Sequence, residues 1–88
     1  MIYLISYDLN SPGKDYTGLH NAIKTVGAWW HHLDSTWLVD TMMPPADIYN
    51  ILSPHIDRND HLLIVQIVRN YWGYLPQDAW DWMAARAY

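Results

Sequence analysis

Two hydrophobic runs constrain the fold of this chain of 88 residues more than any other feature. In the first run, over 2–8, both the even-numbered and the odd-numbered positions are largely apolar. The second run, over 62–68, is almost continuously apolar. A strand with this composition is stable where both faces of its sheet are covered. The pattern therefore predicts a sheet whose first and last strands are buried on both sides.

Helical and strand periodicities alternate between these runs. The first helix is predicted to begin at Asp15, a good N-cap residue, and to end at Gly27. A second helix follows Pro44 and Pro45, because proline is tolerated in the first helical turn, and Pro54 ends it. The predicted strands cover 2–8, 28–33, 35–41 and 62–68, and the predicted helices cover 15–26, 44–53 and 76–86.

This order of elements predicts the fold class. Strand, helix, strand, strand, helix, strand is the split βαβ arrangement, so we expect an α+β, ferredoxin-like βαββαβ domain with a four-stranded antiparallel sheet and an added C-terminal helix. The length allows a single domain, 1–88. The added helix is too short to cover the whole second face. A second copy of the chain is expected to cover the rest, in a homodimer or a larger assembly.

Composition narrows the classes of partner. The chain has no cysteine, which excludes disulfides and thiolate metal sites, and its net charge is −4. The shortage of Lys and Arg argues against duplex DNA as a partner. We expect no membrane partner and a cytoplasmic location, because the sequence shows neither a charged leader nor an apolar stretch of about 20 residues.

Asp8 is the first candidate site residue, since it ends the first hydrophobic run. A carboxylate at the end of a buried strand needs a cation or hydrogen-bond donors. Mg²⁺ or Mn²⁺ would suit it, but a single aspartate binds such an ion weakly and needs a symmetry mate or a ligand phosphate. The alternative is that Asp8 only caps the turn that follows.

The loop over 10–15 is the second candidate. Asn10, Ser11, Gly13 and Lys14 precede a helix N-terminus, where free N–H groups and the dipole favour phosphate. The alternative is a simple turn at Pro12 and Gly13. The spacing is not that of a Walker loop.

The histidines show no spacing typical of a zinc site. His31 and His32 are adjacent on a strand and therefore point to opposite faces. Ordinary surface or hydrogen-bonded histidines are the simpler interpretation. One of them, His31 or His32, is nevertheless a candidate general base or ligand contact.

Thirteen Trp and Tyr with no Phe is an unusual composition for so short a chain. Both side chains suit places where one edge meets a polar group, as in interfaces and ligand pockets. Trp37 and Tyr3 are predicted core residues. A subunit interface, with base stacking as the alternative, is predicted for the aromatic tail cluster Tyr71, Trp72, Tyr74, Trp80 and Trp82.

Several short motifs carry a family resemblance over about 2–82. The segments Tyr7-Asp8-Leu9 and Asp34-Ser35-Thr36-Trp37 resemble the small CRISPR-associated nucleases of the adaptation complex and the related virulence-associated protein D toxins. The loop over 12–16 and the stretch over 27–31 are most similar to small bacterial proteins described as SinR-like. The resemblance implies that Asp8 from two subunits holds one divalent metal, and that Ser35 and Trp37 match a serine–aromatic pair. The chain departs from the nuclease pattern in being acidic and in having Lys14 as the only basic residue of the loop.

Three functions are expected from these observations. The first is a homodimeric binding module that senses or sequesters a nucleotide-like ligand, with Tyr7, Asp8, His31, Ser35, Trp37 and the loop residues as ligand contacts. The second is an endoribonuclease for short RNA that uses Mg²⁺ or Mn²⁺ and has Asp8 as its catalytic residue. The third is a non-catalytic protein-interaction module in a defence, anti-defence or toxin–antitoxin setting.

Overall fold

A computed structural model describes residues 1–11 and 13–88; Pro12, in the predicted loop, lies outside the described residues. Within these ranges the chain forms strands β1 (Ile2–Asp8), β2 (Ala28–Leu33), β3 (Thr36–Asp40) and β4 (His61–Ile67). The α-helices are α1 (Thr17–Val26), α2 (Pro45–Leu52) and α3 (Gln77–Ala84), and a single 3₁₀ turn, Ser53–His55, follows α2.

The four strands form one antiparallel sheet in the order β2-β3-β1-β4. The α+β class and the antiparallel four-stranded sheet were predicted from the sequence and are confirmed. Strand β1 lies inside the sheet, with Leu4 opposite Leu38 of β3 on one side and Val65 of β4 on the other. The same register places Asp8, the last residue of β1, opposite His61, the first residue of β4.

Helices α1 and α2 cover one face of the sheet. Their apolar stripes pack on the odd-numbered residues of β1 and on Trp37 and Val39 of β3. The predicted stripe of α1 is confirmed, because every third or fourth residue from Leu19 to Val26 is buried. Trp37 and Tyr3 are each 1% exposed, which confirms both as core residues. This face contains the main hydrophobic core.

Helix α3 packs on the opposite face. Its Ala79 and Met83 are buried against Ile2, Trp30 and Leu38 of the sheet. The helix covers the part of the face near β2 and β3. On β4, by contrast, Leu63 remains 61% exposed and Val65 44% exposed. The expectation that α3 covers this face only in part is therefore confirmed.

Strand β4 corrects one prediction from the sequence. The run over 62–68 was expected to form a strand covered on both faces, but β4 lies at the edge of the sheet and has no fully buried residue. Its even-numbered side chains pack towards α1 and α2, whereas its odd-numbered ones face the side that α3 covers incompletely. A continuous apolar run shows that both faces are apolar, but it does not show what covers them.

The start and end of α1 also differ from the prediction. The helix begins at Thr17, and Asp15 acts from just outside it by accepting hydrogen bonds from the Thr17 backbone N–H (2.9 Å) and hydroxyl (2.6 Å). Gly27 was expected to end the helix as a C-terminal glycine, a position where glycine usually adopts a left-handed conformation. Its backbone is extended instead (φ 173°), and a Cβ there would collide with the carbonyl oxygen of Asp40. Gly27 is therefore required for close packing of two backbones, not for a turn.

The other boundaries shift by one or two residues. Strand β3 begins at Thr36, because Ser35 belongs to the turn that joins it to β2. Strand β4 begins at His61, one residue before the prediction, and α3 ends at Ala84, before the predicted 86. None of the helices in the described ranges is both long enough and apolar enough to cross a membrane.

Candidate functional site

A cleft lies where β1 ends and β4 begins, and we call it the strand-end cleft. It has a volume of about 240 Å³. The β1–β4 register places the exposed carboxylate of Asp8 beside His61, with Ser6 opposite Leu63 two pairs further along. All four residues lie on the face that α3 covers incompletely. The residues that line the cleft are Ser6, Tyr7, Asp8, His61, Leu62 and Leu63.

The cleft contains two types of metal-binding side chain, the Asp8 carboxylate and the His61 imidazole. Carboxylates suit Mg²⁺ and Mn²⁺, and imidazole suits later transition metals. In residues 1–11 and 13–88 no group of three or more His, Cys, Asp or Glu side chains is arranged to hold a metal ion. One chain therefore supplies at most the Asp8 carboxylate and the His61 imidazole, and these two do not form a complete site.

The predicted phosphate loop is held against the turn that precedes β4. Asp60, which is 6% exposed, accepts hydrogen bonds from the Asn10 backbone N–H (2.7 Å), the Tyr16 hydroxyl (2.7 Å) and the Asp57 backbone N–H (2.7 Å). Burial alone would raise the pKa of Asp60, but these hydrogen bonds outweigh it and the pKa lies below the ordinary value. Asp60 thus supplies a buried negative charge that organises both ends of the loop.

Lys14, the cation predicted to meet a ligand anion, is paired within the chain. Its Nζ donates to the Asp57 carboxylate at 3.0 Å, and this hydrogen bond raises the pKa of Lys14 above its ordinary value. The same hydrogen bond, together with one from Ser11, lowers the pKa of Asp57. Gly13 adopts a left-handed conformation (φ 80°) that favours glycine at this position of the loop. Protein carboxylates thus already engage several of the donors proposed for phosphate.

A second group of polar side chains lies beneath α1, and we call it the His–Trp cluster: Tyr7, His20, Trp29, His31 and Trp37. The indole N–H of Trp37 donates to the Tyr7 hydroxyl at 3.0 Å, and the hydroxyl lies 3.3 Å from Nε2 of His20. The imidazole of His31 stacks on Trp37, with ring centroids 3.8 Å apart and nearly parallel planes. Nε2 of His31 also lies 3.2 Å from the carbonyl oxygen of Asp34, so the ring is fixed at both its face and its edge.

This hydrogen-bond chain is compatible with a neutral His20. Because the Tyr7 hydroxyl accepts from Trp37, its own proton is free for Nε2 of His20, which then acts as the acceptor of a neutral imidazole. Burial lowers the pKa of His20, and the nearby His31 and Lys24 lower it further. The arrangement therefore keeps His20 neutral near pH 7, with one nitrogen held by a phenol.

The remaining candidates on β2 and β3 have different environments. Ser35 is exposed, and its carbonyl oxygen accepts from the Tyr7 backbone N–H at 3.1 Å. Trp37 is buried, so its indole ring positions Tyr7 and His31 and offers no free face for a base. His31 and His32 point to opposite faces as predicted, since the His32 ring lies 5.2 Å from that of Trp30 under α3.

The predicted aromatic interface divides into two sets. Trp72 and Tyr74 are 98% and 100% exposed, in a segment without regular secondary structure. Trp80 and Trp82 are half-buried on α3 and pack on their own chain. Tyr71, which is 37% exposed, stacks on Trp80 with ring centroids 6.2 Å apart and shares a short hydrogen bond with the Tyr88 hydroxyl. Burial, and then this hydrogen bond, raises the pKa of Tyr88 to about 12.

The sequence-predicted ligand residues thus occupy four places. Asp8 lies in the strand-end cleft, Ser35 lies in the β2–β3 turn, and Tyr7, His31 and Trp37 lie in the His–Trp cluster. The loop held by Asp60 contains Asn10, Ser11, Gly13 and Lys14. Sequence reasoning missed three of the residues that organise these places: His20, Asp60 and His61. His20 follows Leu19, the first residue of the α1 stripe, and this was the one local signal of its half-buried position.

Comparison with protein-family models and with curated proteins gave no match.

Proposed function

We propose that the protein is a homodimeric binding module for a nucleotide-like ligand, with the ligand phosphates at the strand-end cleft. One observation supports this proposal above the others. The cleft that contains Asp8 and His61 adjoins the exposed apolar side chains of β4, so a contact with a second copy would bring two clefts together.

The fold that we propose for this module is ferredoxin-like, with α3 as an addition. Helix α1 joins β1 to β2, and α2 joins β3 to β4. In the strand order, β3 lies between β1 and β2, and β1 lies between β3 and β4. Each helix therefore connects two parallel strands that are separated by a third, which is the split βαβ arrangement.

Self-association follows from the edge strand. Leu63 and Val65 present exposed apolar side chains on β4, and an edge strand also offers unpaired backbone groups. Burying such a patch against its own copy is the common route to a two-fold dimer. The contact would bury the part of this sheet face that α3 leaves exposed.

Phosphate binding at this cleft requires a cation, because Asp8 is acidic and the chain has a net charge of −4. The residues present fit a divalent ion only when two subunits contribute, with two Asp8 carboxylates and two His61 imidazoles as candidate ligands. Such an ion would neutralise the carboxylates and coordinate phosphate oxygens. Trp72 and Tyr74 follow the end of β4 that lies away from Asp8, so their exposed rings would stack on a base, at about 1–3 kcal/mol each, only in the partner subunit's cleft.

The second candidate is a metal-dependent endoribonuclease for short RNA. The exposure of Asp8 favours it, since a metal-bound water at the cleft would be within reach of a phosphodiester. The third candidate is a protein-interaction module, and the fully exposed Trp72 and Tyr74 favour it.

The substitution Asp8→Asn separates these functions. Two nearby carboxylates repel each other without a cation, so in chelator this variant should dimerise at least as tightly as the parent, as measured by sedimentation. A binding module should also show thermal stabilisation by a nucleotide and Mn²⁺, corresponding to about 2.7 kcal/mol at a hundredfold excess over Kd. That stabilisation should fall in Asp8→Asn and persist in the matched control Asp34→Asn, which changes an exposed aspartate of the β2–β3 turn.

The other outcomes contradict the proposal. Cleavage of short RNA that Asp8→Asn abolishes would identify the nuclease. Stabilisation by no nucleotide, with or without metal, would favour the protein-interaction module. Dissociation of Asp8→Asn into monomers would mean that Asp8 is a structural hydrogen-bond acceptor and that no paired-carboxylate site exists.

A further inference from the structure

Two histidines from different elements come together in the His–Trp cluster. His20 lies on α1 and His31 on β2, and their ring centroids are 6.2 Å apart. Both side chains are half-buried, beside β2, which is an edge strand of the sheet. The strand-end cleft lies between β1 and β4 and contains neither residue. The pair is therefore a separate group of potential metal ligands.

In each ring one nitrogen is held by a neighbour and the other is free. Nε2 of His31 lies 3.2 Å from the Asp34 carbonyl oxygen, and a carbonyl only accepts, so in the neutral ring Nε2 carries the proton and Nδ1 keeps its lone pair. Nε2 of His20 lies 3.3 Å from the Tyr7 hydroxyl. No hydrogen bond within residues 1–11 and 13–88 uses Nδ1 of either ring, and neither atom is among the buried nitrogens without a partner. Solvent therefore reaches both Nδ1 atoms.

The held nitrogens suit rings that bind a metal on their other side. A histidine ligand usually donates its second N–H to an oxygen, which fixes the orientation of the ring. His31 shows this arrangement, and its stacking on Trp37 fixes the plane of the ring as well. For His20 the acceptor would be the Tyr7 oxygen, since a hydroxyl has two acceptor positions. A metal at Nδ1 of His20 would move the ring proton to Nε2, and Tyr7 would then accept where it now donates.

The spacing and the protonation of the rings suit one shared ion. Bonds of about 2.0–2.1 Å between zinc and nitrogen allow two imidazoles to share the ion when their centroids lie about 5–6.4 Å apart. Burial, and then His31 and Lys24, lower the pKa of His20, so a proton competes little with a metal there at neutral pH. The nearby Lys24 repels a cation, whereas the net charge of −4 attracts one.

From the two free nitrogens and their spacing, we propose that Nδ1 of His20 and Nδ1 of His31 bind one late transition-metal ion, such as Zn²⁺. Imidazole suits zinc, nickel and copper, whereas Mg²⁺ prefers oxygen ligands. The two imidazoles are the protein ligands, because the described residues contain no group of three or more. Water fills the remaining positions, as in open zinc sites. The ion would join α1 to β2, and the site does not depend on the proposed nucleotide function.

The test follows the imidazole nitrogens directly. Zn²⁺ is titrated into the ¹⁵N-labelled protein at about pH 7.5, where a neutral imidazole is available to the metal, and the ring signals are recorded by long-range ¹H–¹⁵N NMR. The Nδ1 signals of His20 and His31 should change along one common saturation curve. The signals of His32 should not change, because its ring lies on the opposite face, beside Trp30. Mg²⁺ should have no effect on any of the three rings.

Substitutions measure what each ring contributes. His20→Gln and His31→Gln should each weaken Zn²⁺ binding by at least about tenfold in calorimetry, because the second ligand binds intramolecularly. The double variant should be little weaker than either single variant, since each of these already lacks the shared site. The matched control is His32→Gln, adjacent in sequence to His31, and it should leave the affinity unchanged.

Three results would overturn the inference: no saturable change in the two Nδ1 signals, different saturation curves for His20 and His31, or an equal loss of affinity in His20→Gln and His32→Gln. If a variant does not fold, the ring signals of the unmodified protein decide the question alone. Asp8→Asn should leave the Zn²⁺ titration unchanged. A loss of the ring shifts in that variant would place the ion at the strand-end cleft and would also overturn the inference.

Discussion

Trp37 is the largest of the fully buried side chains in the described part of the chain, and its indole links the two halves of the His–Trp cluster. Replacing it with alanine removes a large core volume and the hydrogen bond to Tyr7. We expect Trp37→Ala to lower the free energy of unfolding by about 3–5 kcal/mol, measured by urea denaturation.

Trp29→Ala is the control for that measurement. Trp29 also belongs to the His–Trp cluster but is 43% exposed, so its removal leaves a smaller cavity and should cost clearly less. Equal losses for the two variants, or a Trp37→Ala variant that melts within a degree or two of the parent, would contradict the position assigned to Trp37.

His20 makes stability depend on pH. Burial, His31 and Lys24 lower its pKa below the ordinary 6.5, so the unfolded chain binds this proton at a higher pH than the folded chain does. Stability is therefore fully present above about pH 7.5 and falls as the pH drops through 6.5 towards the lower pKa of the folded protein. Urea denaturation at about pH 7.5, 6 and 5 should show this loss.

The substitution His20→Gln separates this effect from other titrations. Glutamine is neutral throughout and its amide oxygen accepts hydrogen bonds, so the variant should lose less stability than the parent between about pH 7 and 5. The aspartates with lowered pKa, Asp15, Asp57 and Asp60, act only near and below their ordinary 3.8. Identical slopes for parent and variant would mean that His20 does not titrate in this range.

At the scale of the elements, the junction between α1 and β2 depends on Gly27. Its extended backbone is open to any residue, but a side chain there would meet the Asp40 carbonyl at the end of β3. That carbonyl cannot move away without disturbing the pairing of Asp40 with Ala28. We expect Gly27→Ala to destabilise the fold by about 1–3 kcal/mol, measured by thermal or urea denaturation.

Gly73→Ala serves as the matched variant. A Cβ at Gly73 would meet only the Trp80 ring at 4.0 Å, an ordinary contact, so the change should stay within about 0.5 kcal/mol. If both alanine variants are equally stable, Asp40 and Gly27 are further apart in solution than in this structure.

The types of the elements followed from local patterns, and their ends did not. The apolar stripe from Leu19 predicted α1, and Pro44 and Pro45 predicted the start of α2. The boundary at Thr17 and the conformation of Gly27 depend on what each residue meets in space. Asp15 caps the helix through its side chain from outside it. Gly27 is required because its backbone packs closely on the end of β3, which is distant in sequence.

For the molecule as a whole, the proposed dimer makes a direct prediction. Leu63 is 61% exposed on β4, so a charge there costs the monomer little, whereas it would be buried at the dimer contact. We expect Leu63→Lys to weaken self-association by at least about tenfold, measured by analytical ultracentrifugation, with an unchanged melting temperature of the monomer.

Met42→Lys provides the comparison. Met42 is 84% exposed in the connection between β3 and α2, so its substitution should leave association unchanged. A parent protein that remains a 10.4 kDa monomer at micromolar concentration would contradict the dimer, and equal weakening by both variants would mean that the interface lies elsewhere.

The sequence by itself determined which segments form strands and helices and which side chains form the apolar face of α1, because those properties depend on periodicity over a few residues. It also determined that both faces of the sheet are apolar. Only the tertiary structure decided that His61 lies opposite Asp8, that Asp60 holds the loop at Asn10 and Tyr16, and that β4 is an edge strand. These relations join residues more than forty positions apart, and they are set by strand register and by how the layers pack. The free energy of that packing depends on contacts across the whole core, so it cannot be predicted from a pattern over a few residues.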